Sequence, residues 1–120
     1  MRNEPRADVV IVNAAEPESI DPAIVTGQPD GRVAASMFEG LTRQSPVDGA
    51  AIPGLAERWD ISPDGTIYTF HLRSNLMWST GEPITADEIV YSWRRVADPA
   101  TASDYAGQLF FVKNAEGINA

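Results

Sequence analysis

Four carboxylates form the first candidate reactive set. Glu16, Glu18 and Asp21 share one Pro-punctuated stretch, and Glu39 stands beside Gly40. Acid–base hydrolysis needs two carboxylates at a defined separation, one of them with a raised pKa. Three close together can also hold a hard cation. The plainer reading is a set of solvated loop acids, because Asp and Glu are seldom buried. His71 is the single histidine, on a strand pattern between Phe70 and Leu72, with no evident acid–base partner beside it in the chain. One His and no Cys exclude a thiolate metal site, a cysteine nucleophile and a disulfide framework. Gly27, Gly31 and Gly40 are not followed by Gly-Lys-Ser/Thr, so they do not form a phosphate loop. No catalytic residue, metal ligand or cofactor is assigned.

The aromatic residues offer binding rather than bond-making chemistry. Trp59 and Trp93 have apolar company at strand and helix spacing, which reads as core. Trp78, between Met77 and Ser79, is less clearly core and can stack on a sugar or peptide. Tyr105 follows Ser103-Asp104 in a polar stretch. An exposed Tyr offers a ligand both an apolar face and a hydroxyl, although surface and packing roles are common for it.

These residues are carried by 120 positions, one domain or part of one. The net charge is −8, which argues against attraction to nucleic-acid phosphates or to anionic membrane surfaces. The composition is 43% hydrophobic with three Trp, enough apolar material for a core. No apolar run approaches the roughly 18 residues of a membrane helix. Met1 to Arg6 is polar, and Val9 to Val12 is too short for a secretory core. Any export signal is therefore expected outside this chain.

Val9-Val10-Ile11-Val12 reads as a short strand buried on both faces. Glu16-Pro17 and Asp21-Pro22 mark turns. Asp30 is expected to cap a helix carrying Val33, Ala34, Met37 and Phe38, with Gly40 as its stop. A loop is expected over Pro46 to Pro53. Leu55, Trp59 and Ile61 alternate with polar residues, and Ser62-Pro63-Asp64-Gly65 suits a type I turn. The return strand is expected over Thr66 to Arg73, with Tyr68, Phe70 and Leu72 on one face. Thr85 and Glu88 form a capping box flanked by the apolar pair Ile84 and Ile89. The helix they open runs through Val90, Trp93 and Val96 to Asp98-Pro99. A second short helix is expected from Thr101 or Ser103 towards Lys113. The mixture indicates an α+β or α/β architecture. The doubly apolar strand lacks partners, which suggests a fragment of a larger fold.

Several segments, taken in order, resemble the start of the family 5 extracellular solute-binding proteins, and most of all the oligopeptide-binding receptors of ABC importers. They are Ser19-Ile20-Asp21-Pro22, Phe38-Glu39-Gly40-Leu41, Pro53-Gly54-Leu55-Ala56-Glu57-Arg58-Trp59 and Tyr68-Thr69-Phe70-His71-Leu72-Arg73. Trp78-Ser79-Thr80-Gly81-Glu82-Pro83-Ile84-Thr85-Ala86, Val90-Tyr91-Ser92-Trp93 and Asp98-Pro99-Ala100-Thr101-Ala102-Ser103 follow. The sequence departs from the family by having Thr80 and Glu88 where Asp is usual. The resemblance implies the N-terminal part of a type II periplasmic-binding-protein fold with an extra domain. Residues 1–42 would begin the first lobe and 43–120 would belong to the extra domain, the remainder of the receptor lying beyond this chain.

The resemblance also implies a site. Thr26, Gly27 and Gln28 match a stretch beside the bound peptide, where backbone groups can pair with an extended ligand. The family has an acidic residue at the position of Thr26, available to the peptide's amino group. Tyr105 matches a Tyr that contacts the peptide. The implied function is capture of a short peptide by lobe closure and delivery to a membrane permease. The protein would be monomeric, periplasmic or lipid-anchored outside the cell, and without enzymatic activity or cofactor. Dipeptide, murein-peptide, nickel and sugar binders of the same family are the alternatives. Beyond the family stand a small standalone interaction module and, last, a carboxylate hydrolase.

Overall fold

The computed structural model describes residues 10 and 12–119. It has three α-helices, two antiparallel hairpins and two 3-10 turns among those residues. Part of the expected strand Val9–Val12 lies outside the described residues. Val10 and Val12 are in no strand, and they are 77% and 85% exposed.

Helix α1 spans Gln28–Met37 and starts earlier than expected. Gly27 is its N-cap and Pro29 occupies the first turn, where a missing N–H costs nothing. Asp30 is therefore not the cap. It lies inside the first turn, is buried, and accepts the Glu18 N–H on Oδ1 at 2.9 Å. A carboxylate there still complements the helix dipole. The helix ends at Met37 and the chain turns extended at Phe38, so Gly40 is not its stop.

Gly40 instead lies in a tight backbone crossing. Its carbonyl accepts the Leu55 N–H at 2.9 Å, and the Leu41 carbonyl accepts from Ala56 at 3.0 Å. A Cβ on Gly54 would stand 2.5 Å from the Gly40 carbonyl oxygen, so only glycine fits there. Strands β1 (Thr42–Gln44) and β2 (Ala51–Pro53) flank this crossing as a short antiparallel hairpin. The reading of Pro46 to Pro53 as loop missed β2. Three residues are too few for an alternation to register.

Strands β3 (Ala56–Ile61) and β4 (Tyr68–Leu72) form the expected hairpin, with a bulge between Ala56 and Arg58. Trp59 faces Phe70 with ring centroids 6.2 Å apart. The turn closes through the Gly65 N–H to the Ser62 carbonyl at 2.8 Å. Gly65 has φ +72°, which a Cβ would strain. The return strand is shorter than Thr66 to Arg73, because Asp64 holds Thr66 back in the turn through the Thr66 hydroxyl at 2.9 Å.

Helix α2 (Ala86–Ala97) opens on the Thr85–Glu88 capping box, as expected. Its far end is followed by 3-10 turns at Pro99–Thr101 and Ala106–Leu109, then by α3 (Ala115–Asn119). The single helix expected between Thr101 and Lys113 is thus broken. Ala102 adopts a left-handed φ of +53°, which ends the first turn.

Among the described residues, the buried apolar side chains are all alanines: Ala23, Ala34, Ala56, Ala97, Ala106 and Ala115. Trp93 is 40% exposed, so it does not form the core expected of it. The exposed surface is 9722 Å², against about 6,300 Å² for a compact monomer of this mass. The amphipathic face of α2 and the hairpin faces pack only in part. No helix among the described residues is long and apolar enough to cross a membrane.

Candidate functional site

The loop before α1 is built on Asp21. Its backbone N–H meets the Ser19 hydroxyl at 3.1 Å, and its Oδ1 accepts the Ala23 N–H at 3.0 Å. Its carbonyl accepts the N–H groups of Ile24 and Val25, both at 3.1 Å. This is an Asx-type turn, which gives a short polar side chain command of the next residues. Arg95, on α2, closes on the same carboxylate as a fork: Nη1 donates to Oδ1 at 2.8 Å and Nη2 to Oδ2. The Arg95 bond, followed by the Ala23 N–H, pulls the Asp21 carboxyl down to about 2. Asp21 raises the Arg95 guanidinium in turn.

Two of the four candidate carboxylates are engaged with arginines, Asp21 with Arg95 and Glu39 with Arg43. Asp21 is held ionised, the opposite of what a general acid requires. Glu39 pairs with Arg43 at 3.3 Å. No group of three His, Asp or Glu side chains among the described residues is placed to hold a metal ion. His71 does have partners, contrary to the reading of the sequence: Nε2 lies 2.7 Å from Asp60 and Nδ1 lies 3.3 Å from Arg58. All three lie on the hairpin, where opposite side chains of antiparallel strands meet. Thirteen positions separate Arg58 from His71, so the contact is invisible without the register.

Trp78 is held by chemistry that its position in the chain did not reveal. Its Nε1–H donates to Glu88 Oε1 at 2.7 Å, while Oε2 accepts the Thr85 N–H at 2.8 Å. These bonds, Thr85 first, lower the Glu88 pKa. One side chain thus joins the capping box to the Trp78 turn. That turn is closed by the Gly81 N–H on the Trp78 carbonyl at 2.9 Å, with Gly81 at φ +91°.

The residues expected to meet a ligand come together in part. The Tyr105 hydroxyl donates to the Thr26 carbonyl at 3.3 Å across 79 positions. Thr26, Gln28 and Tyr105 are exposed. Gly27 has extended backbone, φ −85° and ψ 156°, but its carbonyl accepts the Gly31 N–H at 2.9 Å. Gln28 is already helical, and its Oε1 accepts from Arg32 at 3.3 Å. Strand-like pairing across Gly27 and Gln28 together is therefore not available. The first-turn N–H groups of α1, which have no intrahelical acceptor, are what this backbone offers.

A separate open groove of about 750 Å³ lies between the end of α1 and α2. Phe38, Leu41, Met77, Trp78, Ile84 and Trp93 line it, and none of Thr26, Gly27, Gln28 or Tyr105 does. Its wall is mostly apolar and aromatic, with Glu39, Ser79, Glu88 and Ser92 also on it.

The described residues form a mixed α/β chain in which the loop before α1 meets Tyr105. Residues 50–120 match the model of the bacterial extracellular solute-binding proteins, family 5 Middle. The chain belongs to that family. It is 46% identical over 112 residues to the periplasmic oligopeptide-binding protein OppA of Haemophilus influenzae, covering 92% of this chain and 20% of that protein. It is 44% identical over 105 residues to the periplasmic murein peptide-binding protein MppA of Escherichia coli, covering 86% and 19%. The crystal structure of Haemophilus influenzae OppA in complex with RPPGFSPFR superimposes with a TM-score of 0.82 at 45% identity, covering 89% of this chain and 21% of that one. The chain thus spans about a fifth of the length of the relatives it matches.

Proposed function

We propose that these residues form the front of a peptide receptor for an ABC importer. The receptor captures a short peptide outside the inner membrane by closing two lobes on it, and passes it to the membrane permease. No bond is made or broken and no cofactor takes part. Residues 1–42 begin the first lobe, and 43–120 belong to the extra domain of a type II binding-protein fold. The receptor acts as a monomer, free in a periplasm or tethered by lipid. The partly packed apolar faces of α2 and the hairpins are where the rest of such a receptor would lie.

Thr26, Gly27, Gln28 and Tyr105 line the ligand's path in this reading. The Tyr105–Thr26 hydrogen bond carries it, because it brings the loop before α1 and Tyr105 together across 79 positions. The peptide complex of the Haemophilus influenzae relative supports the ligand class. Thr26 supplies no charge for a peptide amino group, so main-chain contacts and the Tyr105 ring do more of the binding here.

The test is the ligand retained by the receptor-length protein. Equilibrium dialysis against a mixture of dipeptides to nonapeptides, murein tripeptide, nickel and simple sugars, read by mass spectrometry, should show retained oligopeptide. Retention of murein peptide, metal or sugar in its place would move the protein to another branch of the family. Hydrolysed peptide in the dialysate would contradict a receptor without enzymatic activity.

A further inference from the structure

Two ties cross between the loop before α1 and the region after α2. One is the Asp21–Arg95 fork, across 74 positions, and the other is the Tyr105–Thr26 bond, across 79. The arms between them are short and hydrogen-bonded. From Asp21 to Val25 the chain is the Asx turn already described. From Arg95 to Tyr105 it runs through the end of α2, which hands its Asp98 side chain to the Ala100 N–H at 2.9 Å. Ala102 then bonds back to Pro99 at 3.1 Å, and Ala106 to Ser103 at 3.2 Å. Ala97 and Ala106, at 2% and 3% exposure, leave this corner no slack. The Asn119 side chain closes on the Ala97 carbonyl at 3.0 Å. The four residues thus close a ring of two ties and two hydrogen-bonded arms.

We propose that the Asp21–Arg95 pair is the positioning device for the Thr26–Tyr105 contact, and through it a determinant of peptide affinity. This rests on the peptide-receptor reading above. Arg95 is a positioning residue rather than a ligand contact. A planar fork suits the task because it fixes angle as well as distance, which a Lys ammonium does not.

The experiment uses the receptor-length protein, the nonapeptide RPPGFSPFR as probe, and 3-fluorotyrosine at position 105 as a local reporter. Arg95→Met removes the fork and leaves the Asp21 turn intact. It should weaken peptide binding about tenfold and displace the fluorine resonance, since coupled sites commonly interact at that scale. Arg95→Lys should lie between, roughly two- to threefold weaker. Arg95→Met combined with Tyr105→Phe should bind about as well as Tyr105→Phe alone, because both changes break one device. Losses that multiply, or an Arg95→Met affinity within about twofold of wild type, would overturn the proposal. Should Arg95→Met fail to fold, Arg95→Lys decides: a displaced resonance with weakened binding supports the device, and no change in either overturns it. Should the unaltered protein bind no peptide, the receptor reading fails on its own. The resonance of the folded variants then still decides whether Arg95 positions Tyr105.

Discussion

The Tyr105 phenol donates to the backbone carbonyl of Thr26 at 3.3 Å, joining residues 79 positions apart. The contact uses the Thr26 main chain and leaves its side chain free to vary. A charge can therefore be introduced at position 26 without touching this bond. Thr26→Glu should tighten binding of peptides with a free amino terminus by roughly two- to fivefold, the worth of an exposed ion pair. Acetylated peptides should gain nothing. Paired titrations of free and acetylated RPPGFSPFR check this, and an equal gain for both would show that the charge does not meet the amino group.

Asp21 sets a pH window for stability. Its folded pKa, about 2, lies below the ordinary 3.8. Its stabilisation is therefore present above pH 3.8 and is lost as the pH falls towards 2. Both side chains of the pair are about a third exposed, and solvent screening holds the effect to about 1 kcal/mol. Denaturant midpoints of wild type and Asp21→Asn should differ at pH 6 and converge near pH 2. Parallel curves throughout would mean that the fork contributes nothing.

Gly54 has no room for a side chain, since its Cβ would meet the Gly40 carbonyl oxygen at 2.5 Å. The three nearest atoms, from Gly40, Leu41 and Thr42, are all backbone, which cannot rotate away. Gly54→Ala should cost about 2–3 kcal/mol, in the range of overpacked interiors. Gly31→Ala, with nothing within 4 Å of its Cβ and helical backbone, should be neutral or stabilising. Chemical denaturation of the two variants separates crowding from glycine's chain entropy.

Thr85→Ala removes one half of the capping box that opens α2. The expected cost is about 1 kcal/mol. Hydrogen exchange should show the loss in the first turn of α2, with the β3–β4 hairpin unaffected. Protection lost evenly across the chain would contradict a local cap.

Features whose partners lie within a few residues were legible in the sequence. The Thr85–Glu88 box and the Ser62–Gly65 turn close over three positions, so residue types alone specify them. The resemblance points to Tyr105 and the Thr26 loop as candidates, and the bond between them is visible only in the fold. In the sequence Arg95 is one more basic residue near a helix end, and only the packing brings it to Asp21. Periodicity places Trp93 on an apolar face, but it does not say whether anything covers that face, and Trp93 is 40% exposed. Asp30 has the right type for a cap, but the helix starts before it, at Gln28 after the Gly27 N-cap.

Peptide capture at Tyr105 is tested most directly by calorimetric titration of the receptor-length protein with RPPGFSPFR, alongside Tyr105→Ala. Saturable one-to-one binding, weakened about tenfold or more by Tyr105→Ala, is the predicted result, as expected for a central aromatic contact. Absence of binding by the unaltered protein, or an affinity indifferent to Tyr105→Ala, would contradict the account.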